Sequence, residues 1–161
     1  MLGVESEDKR RQLSPLLNIA NSYTRQGEYA LALEYYMQVL NINEKDMTVD
    51  PFMDTHRQMM VLSNIAEIYL ELKNYDRSLY YVELADKISE ENGHHDGKMQ
   101  IYYILGGIYL GIKAYDKALD YQLKSAAMSH DISYITYECY SMLDIAKIYI
   151  EQKEYSRSME Y

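Results

Sequence analysis

The sequence predicts an all-α fold, an α-solenoid in which antiparallel helix pairs stack in series. Three observations support this prediction. Only two prolines and seven glycines interrupt 161 residues, which favours long helices over many short strands. Bulky, small and aromatic residues recur at spacings of three, four and seven, which places them on one face of a helix. The same pattern returns four times along the chain, as it does in repeat proteins.

Each repeat unit contains a tyrosine after a short turn, and the four units align on it. The first step between these tyrosines is 46 residues and the next two are 40: Tyr29, Tyr75, Tyr115 and Tyr155. Upstream, each unit carries a small residue where a neighbouring helix must approach closely: Ala20, Ala66, Gly106 and Ala146. One turn later comes a tyrosine that is expected to fill the wider gap beside it: Tyr23, Tyr69, Tyr109 and Tyr149.

Downstream of each turn, a second helix repeats a pattern of its own. Its small positions are Ala32, Ser78, Ala118 and Ser158, and its aromatic positions are Tyr35, Tyr81, Tyr121 and Tyr161. Asp76, Asp116 and Ser156 fall where three of these helices begin, where they can satisfy free backbone N–H groups. Near the start of the chain, Ser14-Pro15 predicts that the first helix opens with an N-cap and a first-turn proline.

This arrangement resembles the tetratricopeptide repeat, and the resemblance runs from about Leu13 to Tyr161. The segment 26–36 is similar to the consensus sequence of the family. Each unit lacks the family's terminal proline. Other departures replace an aromatic or an alanine of the second helix: Val82, Gln122, Ser78 and Ser158. The resemblance implies a right-handed superhelix whose first helices line a concave groove.

The resemblance divides the chain into a polar N-terminal segment, residues 1–12, and a repeat domain, residues 13–161. The repeats are expected at about 13–46, 59–92, 99–131 and 139–161, the last of them truncated. Their 40-residue spacing resembles the subclass found in G-protein-regulating scaffolds, kinesin light chains, bacterial peptide-pheromone receptors and sensor regions of bacterial signalling proteins. The longer first step falls near 45–54, where Pro51 predicts a loop. Residues 93–97 mark the next junction.

The sequence stops a few residues into its eighth helix and offers no polar capping helix. A solenoid normally ends with such a cap, because each unit buries its apolar face on the next. We therefore expect either a piece of a longer protein or a homodimer that shields the unsealed C-terminal end.

Composition argues against several classes of function. The formal net charge is −9, and only Lys9-Arg10-Arg11 forms a basic run, so nucleic-acid binding is not expected. An acidic surface favours basic or apolar partners over acidic ones. No apolar run could span a bilayer, so no membrane contact by this part is expected. The lack of such a run and the presence of a single cysteine, Cys139, favour a location in the cytoplasm, or in the periplasm if the parent protein carries a signal or an anchor.

The residues that could carry chemistry do not form a catalytic or metal-binding pattern. His94-His95 lies in a glycine-bounded stretch and is interpreted as a solvated turn, not a metal site. Cys139 is expected to be a buried small residue. Gly106-Gly107 falls within a predicted helix and lacks the context of a phosphate loop. The sequence therefore predicts no enzyme, no catalytic residue, no metal and no cofactor.

The resemblance implies that one set of first-helix residues lines the partner-binding groove. These are Leu17, Asn21, Thr24, Met60, Ser63, Glu67, Leu70, Tyr103, Leu110, Tyr140, Leu143, Lys147 and Ile150. Two interpretations stay open for Leu70, Leu110 and Ile150: they pack under the second helices, or they form an apolar floor for a peptide. Acidic chaperone tails are disfavoured, because Leu17 and Ser63 stand where readers of such tails carry lysine.

Two hypotheses about function follow. The first is a protein- or peptide-binding scaffold, the sensing or interaction part of a larger bacterial signalling or regulatory protein. The alternative is a structural module for self-association through dimerisation. The partner, the parent protein and the oligomeric state are not named by the sequence.

Overall fold

The computed structural model describes the backbone of residues 2–45, 51–95, 97–131 and 134–161, and the side chains of 12–40, 55–95, 97–131 and 134–161. All regular secondary structure in these ranges is helical. The helices are α1 (Leu2–Gln26), α2 (Tyr29–Lys45), α3 (Pro51–Glu71), α4 (Tyr75–Asn92), α5 (Lys98–Gly111), α6 (Tyr115–Asp131), α7 (Ile135–Glu151) and α8 (Tyr155–Ser158). The predicted all-α fold is confirmed.

The helices pack as consecutive pairs in a linear stack. Each odd-numbered helix contacts the helix that follows it, and each pair contacts the next. In addition, α3 contacts α5 and α5 contacts α7, so the first helices of neighbouring pairs lie side by side. Serial stacking of helix pairs, each in contact with its neighbours, is the arrangement of a solenoid. The predicted solenoid is therefore confirmed.

The turn inside each pair has the same backbone geometry in all four units. One residue adopts the left-handed conformation, with φ between 56° and 76°: Gly27, Lys73, Lys113 and Lys153. The backbone N–H of the next residue then bonds the carbonyl of the first-helix tyrosine five residues back, as in Asn74 N–H to Tyr69 O at 2.8 Å. These bonds satisfy carbonyl groups that the end of a helix leaves free.

A pair of tyrosines packs together in every unit, and in the first three units it joins the two helices. The ring centroids lie 5.6 Å apart in Tyr23–Tyr35, Tyr69–Tyr81 and Tyr109–Tyr121, and 6.0 Å apart in Tyr149–Tyr161. A cation lies over the first-helix ring in the last three units, supplied by Arg77, Lys117 and Arg157. The small residues Ala20, Ala66 and Gly106 are buried beside these pairs. The repeat register that the sequence predicts is thus present in the packing.

Two expected helix boundaries are wrong. The first helix begins at Leu2, not at Ser14, and Pro15 lies inside it. Proline cannot donate a backbone hydrogen bond, but Leu13 is buried among apolar residues of α1, α2 and α3, which we call the first core cluster. This burial stabilises the helix around Pro15. The loop expected at 45–54 is also shorter, because α3 begins at Pro51, which suits a first helical position. Residues 46–50 of that loop lie outside the described ranges.

The N-cap of α4 also differs from the expectation. Asn74, not Asp76, accepts the hydrogen bond from the backbone N–H of Arg77, at 3.2 Å. Asp76 lies in the first turn of the helix, where its charge complements the helix dipole.

Two side-chain environments were predicted wrongly. His94 is not solvated but only 2 % exposed. Its Nε2 lies 2.8 Å from Thr55 Oγ1, and its ring meets that of His56 edge to face. Cys139 is exposed rather than buried, because it shares the exposed stripe of α7 with Ile135 and Leu143, four residues to either side.

Candidate functional site

A groove lined by both polar and apolar side chains runs along the first helices, between α1, α3, α5 and α7. It consists of two adjoining cavities of about 370 Å³ and about 270 Å³. Both are lined by Asn64, Tyr134 and Tyr137, so they form one depression, which we call the inner groove. The first cavity is completed by Asn21, Thr24, Arg25, Tyr36 and Glu67. The second is completed by His56, Met59, Met60, Gly97, Met99 and Gln100.

Glu67 is the centre of the hydrogen bonds in the inner groove. Its Oε2 accepts from Gln100 Nε2 at 2.8 Å and from the Tyr137 hydroxyl at 3.2 Å. The same Gln100 amide also donates to Asn64 Oδ1 at 3.0 Å. Burial raises the pKa of the Glu67 carboxyl, the two hydrogen bonds lower it, and the charge on Glu71 raises it. One carboxyl group therefore ties together α3, α5 and α7.

Four tyrosines pack together where α5 meets α7, and we call them the tyrosine cluster: Tyr103, Tyr134, Tyr137 and Tyr140. Of these, Tyr134 and Tyr137 line the inner groove. The ring of Tyr103 lies 5.4 Å from that of Tyr137 and 5.9 Å from that of Tyr140. Tyr134 stacks on Tyr137 at 5.7 Å. Burial raises the pKa of the Tyr103 and Tyr137 hydroxyls well above the usual range, and the charge on Glu67 raises both further. Both hydroxyls therefore stay protonated.

The α1 end of the groove has neutral hydrogen bonds. The Tyr36 hydroxyl donates to Asn21 Oδ1 at 2.5 Å and lies 3.5 Å from Thr24 Oγ1. Thr24 Oγ1 in turn donates to the backbone carbonyl of Ala20. Burial raises the pKa of the Tyr36 hydroxyl, so it too remains a donor. Arg25 contributes an exposed positive charge beside these groups.

Another buried carboxyl, Asp144, lies next to the tyrosine cluster on α7. Its Oδ2 accepts from Gln122 Nε2 at 3.1 Å, and its Oδ1 accepts from Lys147 Nζ at 2.8 Å. Asp144 therefore has a cationic partner, whereas the hydrogen bonds described for Glu67 come from neutral donors.

The structure brings several of the predicted groove residues together. Asn21, Thr24 and Glu67 line the first cavity, and Met60 lines the second. Tyr103 and Tyr140 belong to the tyrosine cluster. These two contact the ring of Tyr137 but line neither cavity. The role of the predicted residues in binding a partner stays a testable prediction.

Other predicted residues lie elsewhere. Ser63 is 2 % exposed and so cannot face a partner. Leu17 packs against the first core cluster. Leu70 packs against the second core cluster, the buried apolar residues of α3, α4 and α5, and lies beside Gly107. For Leu70, this favours the packing interpretation. Leu110 is half-buried, whereas the α7 residues that remain are exposed and line neither cavity: Leu143, Lys147 and Ile150.

The predicted groove set did not include five residues that line the first cavity: Asn64, Tyr134, Tyr137, Arg25 and Tyr36. Asn64 lies three residues before Glu67, and Tyr137 lies three before Tyr140, so helical spacing from a predicted residue would have found both. Tyr36 comes from a second helix, α2, whereas the expected groove residues lie on first helices; it packs in one core cluster with the small Ala20.

These features define the class of protein: a helical-repeat solenoid with an open groove on the side of its first helices. Two family models of the tetratricopeptide repeat match the sequence, over residues 57–129 and 15–46, and the chain belongs to this family. Repeats of the family generally mediate protein–protein interaction as non-catalytic scaffolds. No curated protein matches the chain.

Among the residues whose side chains are described, no three His, Cys, Asp or Glu lie close enough to hold a metal ion together. In the same part of the chain, no helix combines the length and the apolar character needed to cross a bilayer.

Proposed function

We propose that the chain binds a peptide segment of a partner protein in the inner groove and that it does so without catalysis. The observation that carries the proposal is the groove itself. Its cavity of about 370 Å³ falls in the range of ligand sites, and it combines aromatic walls with a few convergent polar groups. Hydrogen-bond acceptors on Asn21, Asn64 and Glu67 lie along its length, as the backbone of an extended peptide requires.

The wider setting we propose is a sensing or interaction part of a larger bacterial signalling or regulatory protein. Support for it comes from the 40-residue spacing, which resembles repeats of such proteins. Partners that are apolar or basic suit a groove with tyrosine walls and a central carboxyl group better than acidic ones do.

A library of random displayed peptides, selected on the purified chain, tests the groove proposal. We expect the selected peptides to lose at least tenfold in affinity for a groove variant, Asn64→Ala with Tyr137→Ala, because both residues line both cavities. The matched control is Tyr80→Ala, which removes a tyrosine that is 59 % exposed on α4. Circular dichroism must show unchanged helicity in both variants. Peptides that bind the groove variant as well as the wild type would refute the proposal.

Self-association is a second candidate, favoured by exposed apolar side chains on α7 and directly after α8. Leu143, Ile150 and Met159 are 55 %, 50 % and 87 % exposed. Light scattering at increasing concentration tests it, and we expect Leu143→Glu with Ile150→Glu to keep the chain monomeric if this face forms a dimer. A wild-type chain that is monomeric throughout would refute it.

A further inference from the structure

The tyrosine cluster lies near three carboxyl groups, and the Tyr137 hydroxyl donates to one of them, Glu67, at 3.2 Å. The charges of Asp144, Glu67 and Glu71 all act on the Tyr103 hydroxyl in the direction that raises its pKa. Tyrosine rings present the negative face of their quadrupole, which attracts cations that approach within about 6 Å. A cation beside the tyrosine cluster would therefore meet favourable potential from both the carboxyl groups and the rings.

Elsewhere in the chain, tyrosine rings already hold cations. Arg77 lies over Tyr69 at 5.4 Å, and Lys117 lies over Tyr109 at 5.0 Å. Within the described part of the chain, no lysine or arginine lies over a ring of the tyrosine cluster. Two of its rings, Tyr134 and Tyr137, line both cavities of the inner groove, together with Glu67 in the first cavity.

Glu67 differs from Asp144 in the charge of its partners. Asp144 is paired with Lys147, whereas the described bonds to Glu67 come from the neutral donors Gln100 and Tyr137, both on Oε2. A half-buried carboxylate whose hydrogen-bond partners are neutral is stabilised by an added opposite charge. Arg25 lines the same cavity on the α1 side. Its positive charge would repel a bound cation, which would favour a position nearer Glu67 and the tyrosine cluster.

We propose that the inner groove recognises a basic side chain, arginine or lysine, of the bound peptide, with its charge placed between Glu67 and the tyrosine cluster. This inference rests on the proposed peptide-binding function and adds the chemistry that the peptide must carry. Gln100 holds the Glu67 carboxyl from α5, and Tyr137 holds it from α7, so the acceptor is positioned before the peptide arrives.

The experiment uses the full chain and peptides selected from the random displayed library. We expect arginine or lysine at one fixed position of the enriched peptides. Replacing that residue by glutamine should weaken binding at least tenfold in fluorescence anisotropy, and Glu67→Gln should weaken the parent peptide to a similar extent. Combining the two changes should cost little more than either alone, because each removes one partner of the same pair. Separate arginine and lysine versions of the peptide show which cation is preferred.

Glu83→Gln is the matched control, because Glu83 is exposed on α4 and lines neither cavity of the inner groove. It removes the same charge and should leave affinity unchanged. Groove-dependent peptides without a preferred basic residue, or peptides insensitive to Glu67→Gln, would overturn the cation inference and leave the groove function standing. An affinity lost equally in Glu83→Gln would reduce the effect to net charge and also overturn it. Failure of the groove variant to lose binding would overturn both proposals.

Discussion

The first and third repeat units fill the same packing position with different side chains. In the first unit, Ala20 and Tyr36 belong to one core cluster, and the Tyr36 hydroxyl donates a hydrogen bond to Asn21 in the inner groove. In the third, Gly106 leaves the space that the buried Gln122 occupies. The Gln122 amide donates to the carbonyl of Tyr103 and to Asp144. The small residue of the first helix and its partner on the second helix therefore vary as a pair.

The largest effect is expected from breaking the pair of the third unit with Gly106→Ala. A Cβ atom at Gly106 would lie 2.7 Å from Gln122 Cδ, and Gln122 is fully buried and hydrogen-bonded. Overpacking of this kind costs about 1–3 kcal/mol, which exceeds the helix propensity that alanine gains over glycine, about 0.5–1 kcal/mol. We expect a net loss of about 1–2 kcal/mol in the free energy of unfolding, measured in urea.

A double variant separates this clash from other effects. In the second unit the same two positions hold Ala66 and Val82, both fully buried in one core cluster. In a Gln122→Val background, Gly106→Ala recreates that pair, so it should be neutral or stabilising. If Gly106→Ala costs the same in both backgrounds, the pairing of these two positions is not the cause.

A smaller effect is expected in the first unit from Tyr36→Phe. The substitution keeps the buried ring and removes the hydroxyl that donates to Asn21 Oδ1 at 2.5 Å. Loss of one such hydrogen bond costs about 0.5–1.5 kcal/mol of unfolding free energy. Tyr35→Phe serves as control, since Tyr35 stacks on Tyr23 and its ring contact survives the change. Equal losses for the two variants would show that the bond to Asn21 contributes nothing specific.

The periodic part of the structure could be predicted from the sequence. The small residues and tyrosine pairs recur because each unit must meet its neighbours in the same way, and this requirement acts on residues a fixed distance apart. The left-handed turn position could have been found as well, since Gly27 and its counterparts Lys73, Lys113 and Lys153 keep the repeat spacing.

The groove could be predicted only in part, because it is made by residues that do not repeat. Glu67, Gln100 and Tyr137 belong to three different units, and their meeting depends on how the first helices approach one another. His94 was misjudged for a related reason: its burial comes from Thr55 and His56, about 40 residues earlier in the chain. Local composition carries no information about such contacts.

The smallest effect concerns the turns, where the first and third units again differ. Gly27 adopts φ = 76° at no steric cost, whereas Lys113 is held at φ = 62°, a conformation that costs a residue with a Cβ about 1 kcal/mol. Because glycine also gains more freedom in the unfolded chain, Lys113→Gly should stabilise the fold by only about 0.5 kcal/mol. Gly27→Lys should destabilise it by a similar amount, since a Cβ there meets no other atom within 4 Å and only the backbone is strained. Thermal melts of the two variants should show a higher melting temperature for Lys113→Gly and a lower one for Gly27→Lys. Shifts of the two melting temperatures in the same direction would mean that contacts of the lysine side chain, not the backbone, determine the change in stability.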